Sequence, residues 1–123
     1  MHKITSALLL CALCLSRPAF ADDRPDHYEG EPAETLAQAV ANFSEYNARL
    51  EAILARGELS SADLHEVHRI SYTLENALHR LEEELEELAE VLEEVHVASE
   101  NADAATVMSR GRLYLETSRQ VIE

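Results

Sequence analysis

A seven-residue repeat of apolar side chains over about residues 61–97 constrains the fold of this chain more than any other feature of its sequence. Leucines and valines recur at alternating steps of three and four, and no glycine or proline interrupts them. This spacing predicts one unbroken helix with a coiled-coil type of seam, about 55 Å long. The repeat consists of Leu64, Val67, Ser71, Leu74, Leu78, Leu81, Leu85, Leu88, Leu92 and Val95.

Shorter amphipathic helices are predicted on both sides of the long one, over about residues 33–56 and 104–122. Gly57 suits the end of the first helix. Ser60 as N-cap with Asp63 three residues later marks the start of the second. Asn101 or Asp103 is expected to cap the third. The third helix is expected to bury Val107, Gly111, Tyr114, Ser118 and Val121.

The predicted fold is therefore all-α, a three-helix antiparallel bundle with one long central helix at about 61–97. The flanking helices would be only about 36 Å and 28 Å long, so each covers one half of the long helix. Two arrangements remain open. The chain is a monomeric bundle, or two chains lay their long helices antiparallel so that each half becomes a four-helix bundle.

Residues 1–21 have the pattern of a cleavable bacterial signal peptide. Lys3 precedes an apolar run, and Ala19 and Ala21 form the small-x-small pattern for cleavage after Ala21. The run is too short for a membrane-spanning helix. We expect a periplasmic protein with a flexible acidic segment at 22–32 and a helical domain at 33–123, and with no membrane span after cleavage.

The net charge of the exported part limits the classes of partner that it can bind. Removal of residues 1–21 takes away two basic residues, so that eight remain against 24 acids, for a net charge of −16. Such a surface repels nucleic acid and anionic lipid and favours cations or a basic protein partner. Cys11 and Cys14 are also removed, which excludes disulfides, a cysteine nucleophile and thiolate metal ligands.

Three histidines are the candidate metal ligands. His65 and His68 are three residues apart, which places both on one face of the long helix. In an antiparallel dimer, His96 of one chain would approach them, and three imidazoles suit Zn, Cu or Ni. The competing interpretation is that all three are ordinary surface residues, with no metal or other cofactor bound. The spacing is not that of the HExxH proteases.

No pattern of catalytic residues is found, and we expect a non-enzymatic protein. The sequence lacks a glycine-rich phosphate loop and a GxSxG motif. Residues 82–94 contain eight glutamates, which form either a solvated helix face or a surface for a basic partner. The predicted function is action through protein–protein contacts, and a metal or haem carrier is the alternative.

Four stretches carry a resemblance to a known family. They are GEPAETLAQAVANFSEYNARL (30–50), YTLENAL (72–78), LEEVHVASE (92–100) and the final YLETSRQVIE. The chain resembles a family of small exported bacterial helical proteins classed as a domain of unknown function, which implies a secreted helical fold and no assigned activity. The sequence after ASENADAATV is also similar to the last helix of periplasmic four-helix cytochromes. It lacks the CxxCH motif and a final-helix histidine, which argues against haem.

Overall fold

The computed structural model describes residues 28–122, and within that range it consists of three α-helices and no strand. They are α1 (Leu36–Leu54), α2 (Ser61–Glu100) and α3 (Ala104–Val121). The predicted all-α fold with a long central helix is confirmed, and α2 extends three residues beyond its predicted end. The predicted signal peptide and residues 22–27 lie outside the described residues.

Short polar side chains fix where each helix begins. Ser60 Oγ accepts the backbone N–H of Asp63 at 3.2 Å, and the Asp63 carboxylate accepts the N–H of Ser60 at 2.9 Å, which confirms the predicted capping box. Thr35 caps α1 through its Oγ1, which accepts the backbone N–H of Gln38 at 3.2 Å. Asp103, not Asn101, caps α3 through the N–H of Thr106.

Helices α1 and α3 lie end to end on one side of α2. Three of the five buried residues of α2, Ile70, Ala77 and Ala98, recur at multiples of seven, and α1 and α3 both pack mainly against α2. The turn at 55–60 and the turn at 101–103 each reverse the chain, so α1 and α3 run antiparallel to α2. The chain is therefore two helices thick along most of α2.

The best-packed part of the molecule is the α1–α2 half. Tyr46, Ile53 and Ile70 form its buried cluster, flanked by partly buried leucines and Val67. Ala39 and Ala77 have no exposure, and small side chains of this kind let two helix backbones approach closely. In the α2–α3 half, Leu88 and Ala98 are buried and no residue of α3 is fully buried. The two halves therefore differ in how completely they are covered.

Residues 28–32 belong to no helix or strand but are held in place, whereas the sequence predicts a flexible segment over 22–32. This strap (residues 28–32) crosses α2 near Thr73 and Asn76. The backbone N–H of Glu31 donates to Thr73 Oγ1 at 2.9 Å, and Asn76 Nδ2 donates to the carbonyl oxygens of Glu29 and Glu31 at 2.9 and 3.0 Å. Side chains on α2 thus satisfy the backbone groups that an isolated extended segment would leave to water.

Candidate interaction surface

A row of partly uncovered leucines lies on α2 beside the residues that α1 and α3 cover. Leu78, Leu85 and Leu92 are seven residues apart and are 51%, 49% and 45% exposed, and Leu64 at the start of the helix is 57% exposed. Positions seven residues apart lie on one straight face of a slightly supercoiled helix. The predicted seam of α2 is thus split, with one row packed inside the chain and one row in water.

An open groove lies beside this row, between the first half of α1 and the end of α3, over the middle of α2. The groove has a volume of about 510 Å³, and Phe43 of α1 and Val121 of α3 contribute to its walls. Its remaining lining consists of Leu78, Leu81, Glu82, Leu85, Glu86 and Ala89. We call Leu64, Leu78, Leu85 and Leu92 together with this groove the α2 apolar face.

Helix α3 adds a second exposed row on the same side. Its half-buried residues include the five that the sequence predicts for its inner face. Met108, Leu115 and Ile122 are also seven residues apart, and they are exposed. Val121 in the groove and Met108 in a recess beside Ser99 place this edge of α3 next to the leucine row of α2. The apolar surface therefore widens along the α2–α3 half.

The opposite edge of α3 is polar. Arg110 Nε lies 2.5 Å from a carboxylate oxygen of Glu94, which ties this edge to the acidic stretch of α2. Leu113 follows Arg110 by three residues on the same edge and is 40% exposed. Leu113 is thus an exposed leucine that does not belong to the α2 apolar face.

The glutamates of residues 82–94 flank the apolar face on α2. Arg80, the basic residue nearest to these glutamates in sequence, forms ion pairs with Glu83 and Glu84. No other arginine or lysine lies in α2 beyond residue 80. The second half of α2 therefore presents an apolar row bordered by negative charge.

The three predicted metal ligands are not brought together within one chain. His68 stacks edge-on against Tyr72 at 5.1 Å, and His96 lies 3.2 Å from a carboxylate oxygen of Glu100. Twenty-eight residues separate His68 from His96 on one helix, which corresponds to about 42 Å. Over residues 28–122 the structure contains no cluster of three or more ligating side chains suited to a metal ion. A site that uses His65, His68 and His96 would need a second chain.

A second recess, also about 510 Å³, lies between the strap and α2. Its lining is mixed and includes Glu29, Glu34, His79 and Arg80. The Arg80 guanidinium is already paired with glutamates, although its Nε is buried without a partner. Since acids both line the recess and neutralise its arginine, the recess does not have the character of an anion site.

The strap is the feature that sequence reasoning missed. Its signal was faint: Gly30 close to Pro32, and the polar residues Thr73 and Asn76 three apart on a helix that otherwise packs through apolar side chains. Gly30 has φ +74°, and a Cβ there would lie 2.7 Å from the backbone nitrogen of Thr73. Only glycine allows the strap to lie this close to α2.

These features define the chain as an all-α protein whose long central helix has one covered and one partly uncovered row of apolar residues. Within residues 28–122 no helix has the length and hydrophobicity required to cross a bilayer. The chain belongs to a family of unknown function (DUF6746), whose sequence profile matches residues 1–123. No curated protein and no solved structure matches the chain. The predicted membership of a domain-of-unknown-function family is confirmed.

Proposed function

We propose that this protein is an exported, non-enzymatic helical protein that acts in the periplasm through protein–protein contacts made by the α2 apolar face. The observation that carries the proposal is the row Leu78, Leu85 and Leu92, each about half exposed and seven residues from the next. Single exposed leucines are ordinary on protein surfaces. A continuous apolar row with a groove beside it is typical of a binding surface.

The energetics favour coverage of this face. Complete burial of a leucine side chain is worth about 1.5–3 kcal/mol. Since three leucines of the row are about half exposed, covering them would contribute about 2–4 kcal/mol before the cost of association. Leu64, Phe43 and Val121 would add to this amount. Burial of this face thus favours binding of another helix, and further contacts with the partner must supply the rest of the cost of association.

The shape of the groove supports a macromolecular ligand over a substrate. Sites for small molecules are concave and combine apolar walls with a few convergent polar groups. This groove is open, and Glu82 and Glu86 are its only polar lining residues. An open apolar channel along a helix accommodates another amphipathic helix. The proposed location in the periplasm rests on the signal-peptide pattern of residues 1–21.

Site-specific photo-cross-linking in living cells tests the proposal. A photoreactive phenylalanine derivative replaces Leu85 in one variant and Leu113 in a matched control, because both leucines are partly exposed and only Leu85 belongs to the α2 apolar face. We expect a discrete cross-linked protein band from position 85 and none from position 113. Equal cross-linking at both positions, or none at position 85, would refute the proposal.

A further inference from the structure

We infer that the protein covering the α2 apolar face is a second copy of this chain, bound with its α2 antiparallel to the first. The inference rests on the proposed function and names its partner. It draws on three independent features: the division of α2 between α1 and α3, the register of the apolar repeat, and the distribution of charge along α2.

The lengths of the helices favour an antiparallel pair. Helix α1 has 19 residues and α3 has 18, and they cover successive halves of the 40-residue α2. A second copy laid antiparallel places its α2–α3 half beside the α1–α2 half of the first chain. Every level then contains four helices, two from each copy, which is the number that closes a bundle core. The poorly covered α2–α3 half of each copy then packs against α1 and α2 of the other copy.

The repeat of α2 is self-complementary in one antiparallel register. In such pairs the two apolar positions of the heptad face each other across the seam. When paired residue numbers add to 159, all ten repeat positions lie level with a repeat position of the second copy, whereas a shift by one heptad in either direction leaves two positions without a counterpart. Each level joins one residue of the uncovered row with one residue of the row that packs mainly inside its own chain. Nine of the ten are apolar, and the exception is Ser71. The pairs are Leu64–Val95, Val67–Leu92, Ser71–Leu88, Leu74–Leu85 and Leu78–Leu81.

The charge distribution opposes a parallel pair and permits an antiparallel one. Residues 61–80 contain three acids and two arginines, for a net charge of −1, whereas residues 81–100 contain nine acids and no arginine or lysine, for −9. A parallel pair in register would place the −9 halves side by side. The antiparallel pair places each −9 half beside a −1 half, which also carries His65, His68 and His79. Coulomb repulsion between the halves is therefore much smaller.

The α2 apolar face also has the symmetry that a twofold dimer interface requires. A twofold interface uses the same patch on both copies, so the patch must be complementary to its own rotated image. The α2 apolar face runs nearly the length of α2 and has its groove close to residue 80, where the dyad of this register falls. The groove of each copy thus lies opposite the central leucines of the other.

The mass of the exported protein in solution gives the first test. We expect sedimentation equilibrium at about 10 μM to give the mass of two chains. Leu85→Gln should weaken association by at least about tenfold, since it removes apolar contact from both copies. Leu113→Gln is the matched control and should leave the mass at two chains. Circular dichroism verifies that both variants remain helical, as expected for substitutions of partly exposed residues.

Cysteine pairing gives the orientation. A chain that begins at Asp22 has no cysteine, so Leu64→Cys and Val95→Cys each introduce a single one. The antiparallel register predicts that a short bismaleimide cross-links the two variants when they are mixed and cross-links neither variant alone. Cross-linking of each variant with itself would show a parallel pair and overturn the inference.

These outcomes separate the inference from the proposed function. One outcome is a wild-type protein that is monomeric at 10 μM while its position 85 still cross-links to a different protein in cells. That result would overturn the inference of a second copy, and the proposed function would stand. A basic helical protein is the occupant expected in that case. A monomer without cross-links at position 85 overturns both. A dimer whose position-85 adduct has the mass of two chains supports both.

Discussion

The backbone N–H of Glu31 donates a hydrogen bond to Oγ1 of Thr73, a side chain with no exposed surface, and joins residues 42 positions apart in sequence. This bond and those from Asn76 hold the strap on α2, and the strap leads directly into Thr35 and the start of α1. The position of α1 on α2 is thus fixed at both ends, by the strap and by the turn at residues 55–60.

Thr73→Val should destabilise the protein by about 1 kcal/mol, because the variant keeps the shape of the side chain and leaves the Glu31 N–H without its acceptor. Thermal unfolding followed by circular dichroism measures the loss. Thr73→Ser retains the hydroxyl and is the control, with a smaller loss from the missing methyl group. Equal stability of the wild type and the valine variant would mean that the strap adds nothing to the fold.

Gly30→Ala should free the strap, since the new Cβ would lie 2.7 Å from a backbone nitrogen and 2.8 Å from a backbone carbon of α2. Gly57→Ala is matched to it, because Gly57 also has a positive φ and a Cβ added there would meet no atom within 4 Å. Gly57→Ala should cost about 1 kcal/mol from conformation alone. Hydrogen exchange at the backbone N–H of Glu31, which donates to Thr73 Oγ1 in the wild type, should accelerate in Gly30→Ala and stay unchanged in Gly57→Ala.

The stability of the α3 cap should depend on pH. Hydrogen bonds from the hydroxyl and backbone N–H of Thr106 lower the pKa of Asp103 below its ordinary value of 3.8. Its ionised form therefore stabilises the fold above pH 3.8, and this contribution disappears as the pH falls through the lower folded-state pKa. Asp103→Asn keeps the cap without titrating. As the pH is lowered from about 5 to about 2, the melting temperature of the wild type should decrease relative to that of this variant. A difference that stays constant over this pH range would argue against the cap.

Cleavage after Ala21 is predicted from sequence alone, and it has a direct test. Intact mass spectrometry of the protein from a periplasmic extract should give a chain that begins at Asp22. Ala21→Arg should block cleavage, because signal peptidase requires a small residue before the cut. The uncleaved variant should remain with the membrane fraction. Recovery of full-length wild-type chain beginning at Met1 would contradict the prediction.

The histidine hypothesis now depends on the dimer. In the proposed register, His96 of the second copy lies about 3 Å along the axis from the level of His65 and about 7.5 Å from that of His68. Any rise in melting temperature caused by zinc should therefore vanish for Leu85→Gln at a concentration where sedimentation shows that this variant is monomeric. A rise that persists in this variant would place the zinc elsewhere, and a wild type unaffected by zinc would remove the hypothesis.

The helices of this chain were predictable because their signals are local. The heptad of α2, the Ser60 and Asp63 box and the inner face of α3 all lie within a few turns of one helix, where spacing alone decides which side chains share a face. The strap was not predictable in the same way. Its contacts join residues more than 40 positions apart, and its sequence, with glycine, proline and acids, is also typical of a flexible segment.

The α2 apolar face was also predictable only in part from the sequence. Leu74 and Leu78 belong to one seam by sequence, yet Leu74 packs against the α1–α2 cluster while Leu78 is 51% exposed. Periodicity identifies which residues are apolar on one side of a helix. It does not determine which row of that side the neighbouring helices cover, because the burial of each row depends on where α1 and α3 pack against α2.

The sequence by itself determined three helices, the capping box of α2, the long apolar repeat and the strong negative charge, because each follows from residue type and spacing along the chain. The tertiary structure alone decided that α1 and α3 share one side of α2, that the strap is anchored at Thr73, and that Leu78, Leu85 and Leu92 stay in water. The physical reason is that burial is a property of packed neighbours, and packing brings together residues that the sequence keeps far apart.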